Sequence, residues 1–352
     1  MEPMAHVRPA QGARPRARDL GIVFGRGGTG PLDAITDVPG VRVGHATVRR
    51  PPDVHSGVTA VVPGDVAPHA PLPAGVFTGN GYGKLIGTTQ VTELGVLETP
   101  VLLTSTLSAF RVADALVGWM LEQPGCGEVR SLNPVVGECN DGFLSDIRAR
   151  PVHGEHVRAA LDGASGGPVA EGCVGAGTGT GALGFKAGIG TASRTPALAG
   201  RPYTAGVLVQ ANFGGTLRVL GRCVTPRSVG LTGDPAPAAE TGSCMIVVAT
   251  DAPVDARQLT RVARRAVFAL ARTGAAYSHG SGDYAIAFGT RPQAAPVADD
   301  ELGTLFEAVL DAVEEAVLNS LLAATTTTGF GGRTLPALPA DRLLDALNTP
   351  AL

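Results

Sequence analysis

The order of apolar and polar residues predicts strands that alternate with amphipathic helices. Short runs rich in β-branched residues predict strands at 57–63, 99–106, 205–212, 245–249 and 284–288. Apolar residues spaced three and four apart predict helices over about 108–120, 253–270 and 300–323. Such an alternation favours a mixed α/β domain in which layered sheets are covered by helices.

One stretch combines a flexible approach with a rigid continuation. A Pro/Ala-rich segment over 233–240 leads into Gly242 and Ser243, and the apolar run 245–249 follows directly. That run is bounded by turn formers, which is typical of a strand buried on both faces. Ser243 is therefore either an ordinary residue at the start of a strand or a nucleophile that the strand holds at its first position.

Bulk composition excludes several classes of protein. The 352 residues are 44% hydrophobic and 17% charged, with 49 Gly and 27 Pro, as in a loop-rich globular protein. A net charge of −3 argues against nucleic-acid binding through phosphate neutralisation. No apolar run approaches the ~18 residues of a membrane span. Residues 1–18 are arginine-rich without a following apolar segment and predict a disordered lead-in rather than a secretory signal.

Cysteine and histidine usage predicts neither disulfides nor metal. The five cysteines are scattered without a C-x-x-C pair, and the seven histidines form no ligand-spaced cluster. We therefore expect reduced thiols, a cytoplasmic protein, and no metal or other cofactor.

Two glycine-rich stretches look like nucleotide loops but lack the necessary context. Residues 25–30 match G-x-G-x-x-G, yet Pro31 follows and no helix is predicted there. The glycines of 172–184 precede Phe185 and Lys186, which breaks the phosphate-loop pattern. Dense glycine here instead predicts close approach of backbone to backbone or to a substrate.

Polar side chains at the ends of predicted strands are the candidates for chemistry. They are Asn212, Ser243, and the pair Ser281 and Asp283. No G-x-S-x-G motif surrounds Ser243, so a conventional serine hydrolase is poorly supported. If the Gly242–Ser243 bond were cut, however, the free α-amine of Ser243 could act as base for its own hydroxyl. An α-amine titrates near ~7.7–8.0, which suits a general base.

At this stretch the sequence closely resembles the DmpA-type N-terminal-nucleophile aminopeptidases. That family comprises L-aminopeptidase/D-esterases and β-peptidyl aminopeptidases. The matching pieces span residues 17 to about 290 in order: 17–21 (ARDLG), 34–45 (AITDVPGVRVGH), 133–138 (NPVVGE), 175–179 (GAGTG), 185–194 (FKAGIGTASR), 209–212 (VQAN), 242–243 (GS) with 249–253 (ATDAP), and 281–283 (SGD).

The resemblance implies an α+β fold, a four-layer αββα sandwich shared with the ornithine acetyltransferases. It further implies one catalytic domain, 19–352, made as an inactive precursor. Self-cleavage between Gly242 and Ser243 would give an α chain, 1–242, and a β chain, 243–352. The ornithine acetyltransferase relatives use a Thr nucleophile, and Ser243 argues against that branch.

Residue roles follow from the same resemblance. Ser243 would be the nucleophile in both self-processing and turnover, and Asn212 the oxyanion donor. Ser281 and Asp283 would orient and tune the Ser243 amine and hydroxyl. Glu138 would anchor the ammonium group of the substrate. Asn140 would lie in the substrate site, where some relatives carry an aromatic residue.

The expected substrate is a small peptide, amide or ester with a free amine, and the expected assembly is a homo-oligomer, a tetramer by resemblance. α-Peptides, β-peptides, D-amino acid esters and cyclic amides all remain open as substrates. Two alternatives also stay open: an acyltransferase using the same acyl-enzyme, and a non-catalytic α/β protein that binds a small molecule.

Overall fold

The computed structural model describes residues 14–64, 66–232, 242–291 and 295–348. The predicted soft segment 233–240 lies outside the described residues. Six α-helices occur within the described ranges. They are α1 (Thr88–Leu94), α2 (Ala109–Leu121), α3 (Gly154–Asp162), α4 (Ala256–Thr273), α5 (Leu302–Leu322) and α6 (Ala340–Asn348).

The first sheet contains five strands. They are β1 (Val41–Arg50), β2 (Val54–Pro63), β4 (Leu85–Ile86), β6 (Val101–Ser105) and β7 (Val135–Cys139). Their order in the sheet is β1-β2-β6-β7-β4. Strands β6 and β7 are parallel and are connected through α2, whereas the other pairs are antiparallel.

The second sheet contains six strands. They are β3 (Leu72–Gly81), β5 (Val96–Leu97), β10 (Ile189–Arg194), β13 (Ala205–Asn212), β16 (Ser243–Thr250) and β17 (Gly282–Gly289). Their order is β10-β13-β16-β17-β3-β5. Strands β16 and β17 are parallel and are connected through α4.

Four small hairpins and several single turns of 3-10 helix complete the described part of the chain. The hairpins pair β8 (Gly181–Ala182) with β9 (Phe185–Lys186), β11 (Ala197–Leu198) with β12 (Arg201–Pro202), β14 (Leu217–Val219) with β15 (Arg222–Val224), and β18 (Thr327–Thr328) with β19 (Thr334–Leu335). The 3-10 turns are Arg18–Leu20, Ile35–Asp37, Ile147–Ala149, Gly175–Gly177, Asp299–Glu301 and Phe330–Gly332.

Three apolar interfaces define four layers, as expected for an αββα sandwich. Helices α2 and α3 cover the outer face of the first sheet, where Leu116 and Val157 belong to one buried cluster. Helices α4 and α5 cover the outer face of the second sheet. Between the sheets lies a third cluster, to which Leu103 and Val247 contribute from opposite sides. The predicted αββα fold is therefore confirmed.

Strand β16 is buried on both faces, as its run of apolar residues predicts. Met245, Val247 and Ala249 point between the sheets, whereas Ile246 and Val248 pack under the helices. Every residue from Ser243 to Thr250 is buried. The strand therefore anchors its first residue from both sides.

The N-terminal boundary differs from the predicted one. The segment from Arg14 to Arg18, assigned from sequence to the lead-in, packs against the domain. Ala17 is fully buried, and Arg16 pairs with Glu171 at 2.8 Å. Because these arginines pair with carboxylates that are distant in sequence, local composition could not predict that the segment packs against the domain. Residues 1–13 lie outside the described residues.

No helix in the described ranges combines the length and apolar character that crossing a bilayer would require.

Candidate active site

Strand register brings the polar strand ends of the second sheet together. Ser243, the first residue of β16, lies directly opposite Asn212, the last residue of β13. On its other side Ser243 pairs with Gly282, the first residue of β17, so Ser281 and Asp283 flank that position. The three candidates from separate parts of the chain therefore meet at one sheet edge.

The end of β7, in the first sheet, closes over this edge. The Cys139 thiol donates to the Ser243 carbonyl at 3.4 Å and to the Gln210 carbonyl at 3.5 Å. The Asn212 amide nitrogen donates to the Asn140 carbonyl at 3.1 Å. Glu138 and Asn140 therefore lie beside the strand that begins at Ser243.

The Ser243 hydroxyl is buried without a described hydrogen-bond partner. The residue is 3% exposed, and its Oγ makes no hydrogen bond to the residues that the structure describes. Burial raises the pKa of the neighbouring Cys139 thiol, and the Ser243 side chain partly offsets that rise. A hydroxyl in that state is unusual, because buried polar atoms are normally paired. A buried hydroxyl without such a bond is a candidate nucleophile.

The peptide bond before Ser243 has its own polar partner. The backbone N–H of Gly282 donates to the Gly242 carbonyl oxygen at 3.0 Å. A donor at this position withdraws electrons from the carbonyl and stabilises negative charge that develops on its oxygen.

Gly242 is required by space rather than by an unusual backbone angle. Its φ lies outside the left-handed region. A Cβ at this position would lie 2.7 Å from the Phe213 Cα and 3.0 Å from the Asn212 carbonyl oxygen. Both are backbone atoms at the end of β13, and unlike a flexible side chain they cannot rotate away. Only glycine fits without moving the strand end.

Asp283 provides a buried carboxylate at the start of β17. Burial raises the pKa of this carboxyl above its usual value, and hydrogen bonds from the Ser281 side chain and the Cys244 backbone N–H partly offset that rise. Its Oδ2 has no described partner and is shielded from solvent. Asp283 thus lies on the neighbouring strand opposite Cys244, the residue after Ser243, and one of its carboxylate oxygens has no described partner.

Asn212 is held by contacts at both ends of its amide. Its Oδ1 accepts from the Gly181 backbone N–H at 3.1 Å, while its Nδ2 donates to the Asn140 carbonyl. These two bonds fix which end is the donor. An amide N–H held in this way at the edge of a site is a preorganised donor.

Glu138 is almost fully buried, at 2% exposed, and accepts three hydrogen bonds. Its Oε1 accepts from the Lys84 backbone N–H at 3.0 Å and from the Lys84 ammonium at 3.1 Å. Its Oε2 accepts from the Thr106 hydroxyl. The carboxylate is consequently fixed in place by groups from two different strand ends.

Asn140 contributes its backbone rather than its side chain. The residue is exposed, and its Oδ1 accepts from the Gly142 N–H at 2.9 Å, closing a local turn. Its carbonyl orients the Asn212 amide.

Sequence reasoning missed three contributors. Lys84 and Thr106 hold Glu138, and the Asn80 amide nitrogen donates to the carbonyls of Ser278, His279 and Ser281, with the Ser278 bond at 3.0 Å. The pairing of Leu85 with Gly137 is the signal that places Lys84 opposite Glu138.

Within the described residues, no group of three or more His, Cys, Asp or Glu side chains is arranged to hold a metal ion. All five cysteines are unpaired.

Comparisons with known proteins identify the family of this chain. The model of peptidase family S58 matches residues 33–335. A β-peptidyl aminopeptidase, BapA, of Sphingosinicella microcystinivorans is 41% identical over 96% of this chain and 92% of its own length.

Solved structures also superpose closely. A β-aminopeptidase from a Burkholderia species is 41% identical with a TM-score of 0.86, over 94% of this chain and 98% of that one. The L-aminopeptidase D-Ala-esterase/amidase of Ochrobactrum anthropi is 39% identical with a TM-score of 0.85, over 95% and 98% respectively; it is described as a prototype of the serine aminopeptidases and a variant of the Ntn hydrolase fold. The chain therefore belongs to peptidase family S58 and is an aminopeptidase of the N-terminal-nucleophile type.

Proposed function

We propose that the protein cuts its own Gly242–Ser243 bond and then uses the new N-terminal Ser243 to release N-terminal residues from small peptides and amides through an acyl-enzyme. The observation that carries this proposal is the unpartnered Ser243 hydroxyl beside a carbonyl that accepts from Gly282. The products would be an α chain, 1–242, and a β chain, 243–352.

Self-cleavage begins with attack of the Ser243 Oγ on the Gly242 carbonyl carbon. The Oγ–C bond forms, the C–N bond breaks, and the hydroxyl proton moves to the departing nitrogen, which becomes the α-amine. Water then hydrolyses the ester, leaving a carboxylate on Gly242 and a hydroxyl on Ser243. The Gly282 N–H stabilises the oxyanion of this first step.

Turnover uses the α-amine as base. It accepts the proton of the Ser243 hydroxyl as the latter attacks the substrate carbonyl, and it returns the proton to the leaving amine. Asn212 donates to the oxyanion of the substrate. Ser281 and the Asp283 carboxylate orient the amine and stabilise its protonated form, because a buried anion favours a nearby cation.

Glu138 binds the ammonium group of the substrate and so restricts activity to free N-termini. Because two relatives are named β-peptidyl aminopeptidase or β-aminopeptidase, we include amides of β-amino acids among the substrates. A cytoplasmic location and a homo-oligomeric assembly belong to the same proposal.

The experiment is a comparison of the wild-type protein with Ser243→Ala on a denaturing gel. The wild type should separate into two fragments, the smaller beginning Ser-Cys-Met by N-terminal sequencing, while Ser243→Ala stays whole and inactive. The exposed Ser228→Ala is the matched control and should be processed normally. A single full-length wild-type band that retains activity would contradict the proposal.

A further inference from the structure

The ammonium anchor of the site is not a bare carboxylate but an ion pair. Lys84 directly precedes β4, and the antiparallel pairing of Leu85 with Gly137 places Lys84 opposite Glu138. The Lys84 ammonium lies 3.1 Å from the Glu138 Oε1. Strand register therefore places the positive charge of Lys84 beside the Glu138 carboxylate.

The pair keeps unused donors and acceptors. A carboxylate offers about four acceptor sites, and three of those on Glu138 are occupied, two by Lys84 and one by Thr106. An ammonium has three N–H donors, and among the described residues Glu138 is the side-chain partner of the Lys84 ammonium. The Lys84 side chain is 34% exposed. One acceptor, on the Glu138 Oε2, and two donors of the Lys84 ammonium thus remain within the ion pair.

This pair adjoins the nucleophile. A Cβ on Gly83 would lie 3.3 Å from the Glu138 Oε1 and 3.3 Å from the Gly282 Cα. Gly282 in turn is the strand partner of Ser243. The acyl part of a substrate bound at Ser243 would consequently meet both charges.

We propose that the Lys84–Glu138 pair selects substrates whose N-terminal residue carries an ammonium and a carboxylate on the same carbon. Such a residue is linked to the rest of the substrate through its side-chain carboxyl, as a β-aspartyl residue is. Glu138 takes the ammonium and Lys84 takes the carboxylate. This inference rests on the proposed function, because it assumes acylation of Ser243 and an ammonium bound at Glu138.

Spacing favours this linkage over an ordinary acidic N-terminus. The two protein charges are separated by a single 3.1 Å contact. Ammonium and carboxylate groups on one carbon match that separation, whereas in an α-linked aspartyl residue a further carbon divides them. A β-aspartyl residue is also a β-amino acid that bears a carboxylate, so it fits a site that accepts β-amino acid amides.

The test uses three p-nitroanilides: aspartic acid linked through its β-carboxyl, aspartic acid linked through its α-carboxyl, and β-alanine, which lacks only the extra carboxylate of the first. Wild-type kcat/KM should be at least about tenfold higher for the β-linked aspartyl substrate than for the other two, the range expected of one charged hydrogen bond. Lys84→Met should bring the ratio of kcat/KM between the β-linked aspartyl and β-alanine substrates close to one, whatever its effect on the β-alanine rate itself, and Lys84→Arg should retain the wild-type ratio. A denaturing gel reports whether each variant is processed.

Three outcomes would overturn the inference while leaving the proposed function intact. The first is equal wild-type kcat/KM on the β-aspartyl and β-alanyl substrates. The second is a ratio of these two kcat/KM values that Lys84→Met leaves unchanged, and the third is a uniform gain on all three substrates in Lys84→Met, which would make Lys84 a competitor of the substrate ammonium. Because the first comparison needs only the wild type, poor folding of a variant does not rescue the inference. An uncut chain that releases no nitroaniline would instead overturn the proposed function and the inference together.

Discussion

Asn212 and Ser243 are direct cross-strand partners, one ending its strand and the other beginning the next strand of the sheet. The proposed oxyanion donor and the proposed nucleophile therefore keep their separation whatever the conformation of the loop between them, part of which lies outside the described residues. We therefore expect the catalytic geometry to depend on sheet register more than on the approach to Ser243.

Replacing Asn212 by Asp should remove the Nδ2 donor while keeping the Oδ1 that accepts from Gly181. Loss of one oxyanion donor costs about 10²–10³ in kcat, with little change in KM. Steady-state kinetics on a processed sample measures both. A variant with wild-type kcat would assign the oxyanion to another donor.

Gly242→Ala should slow self-cleavage. The new Cβ would lie 2.7 Å from the Phe213 Cα, so the scissile carbonyl must shift. A displacement near 1 Å can cost about 10²-fold in rate. The time course of fragment formation during refolding would report the effect. Gly303→Ala, where a Cβ meets nothing within 4 Å, is the matched control and should be processed at the wild-type rate.

Asp283→Asn should change the acid side of the pH–rate profile. In the wild type, activity should fall as pH decreases, first as the α-amine gains a proton near ~8 and again as Asp283 is protonated at its raised pKa. The Asn variant should be slower and should lose the second ionisation. Profiles of log kcat/KM that superimpose after scaling would exclude Asp283 from the mechanism.

His45 should make the fold sensitive to acid. Burial lowers the pKa of this imidazole to about 4, and its Nδ1 lies 2.9 Å from the Thr59 hydroxyl. Since the folded state binds the proton less well than the unfolded state, the free energy of unfolding should be full above pH ~6.5 and fall as pH decreases towards 4, by at most about 3 kcal/mol.

Denaturant unfolding of uncut Ser243→Ala at pH 7 and pH 4.5 measures this loss. His45→Gln in the same background should show a smaller difference between the two pH values, whereas the exposed His69→Gln should not. An unchanged difference in His45→Gln would assign the acid sensitivity to other groups.

Much of the fold could be predicted from the sequence because its signals are local, whereas the roles of the site residues stay predictions. The β-branched run 245–249 predicts a strand buried on both faces, and Ser243 lies at the start of that strand. Motif resemblance then linked Ser243 to Asn212 and Asp283, which register indeed brings together.

Other features depend on contacts that no window of sequence contains. Lys84 meets Glu138 across 54 positions through a two-residue strand too short to predict. The buried Arg194 guanidinium donates to Glu315, on a distant helix, at 2.6 Å and also to the Phe24 carbonyl. Charged side chains read locally as exposed, so their burial emerges only from the packed fold.

The order of the second sheet determines what a cut before Ser243 would produce. Strands β16 and β17 would belong to the new chain, yet both of their outer neighbours, β13 and β3, would belong to the other. Two fragments interleaved in this way cannot separate without breaking a hydrogen-bond ladder on each side. Cleavage would therefore turn a unimolecular folding problem into a bimolecular one, and a denatured mature enzyme would have to regain its sheet by association of two chains.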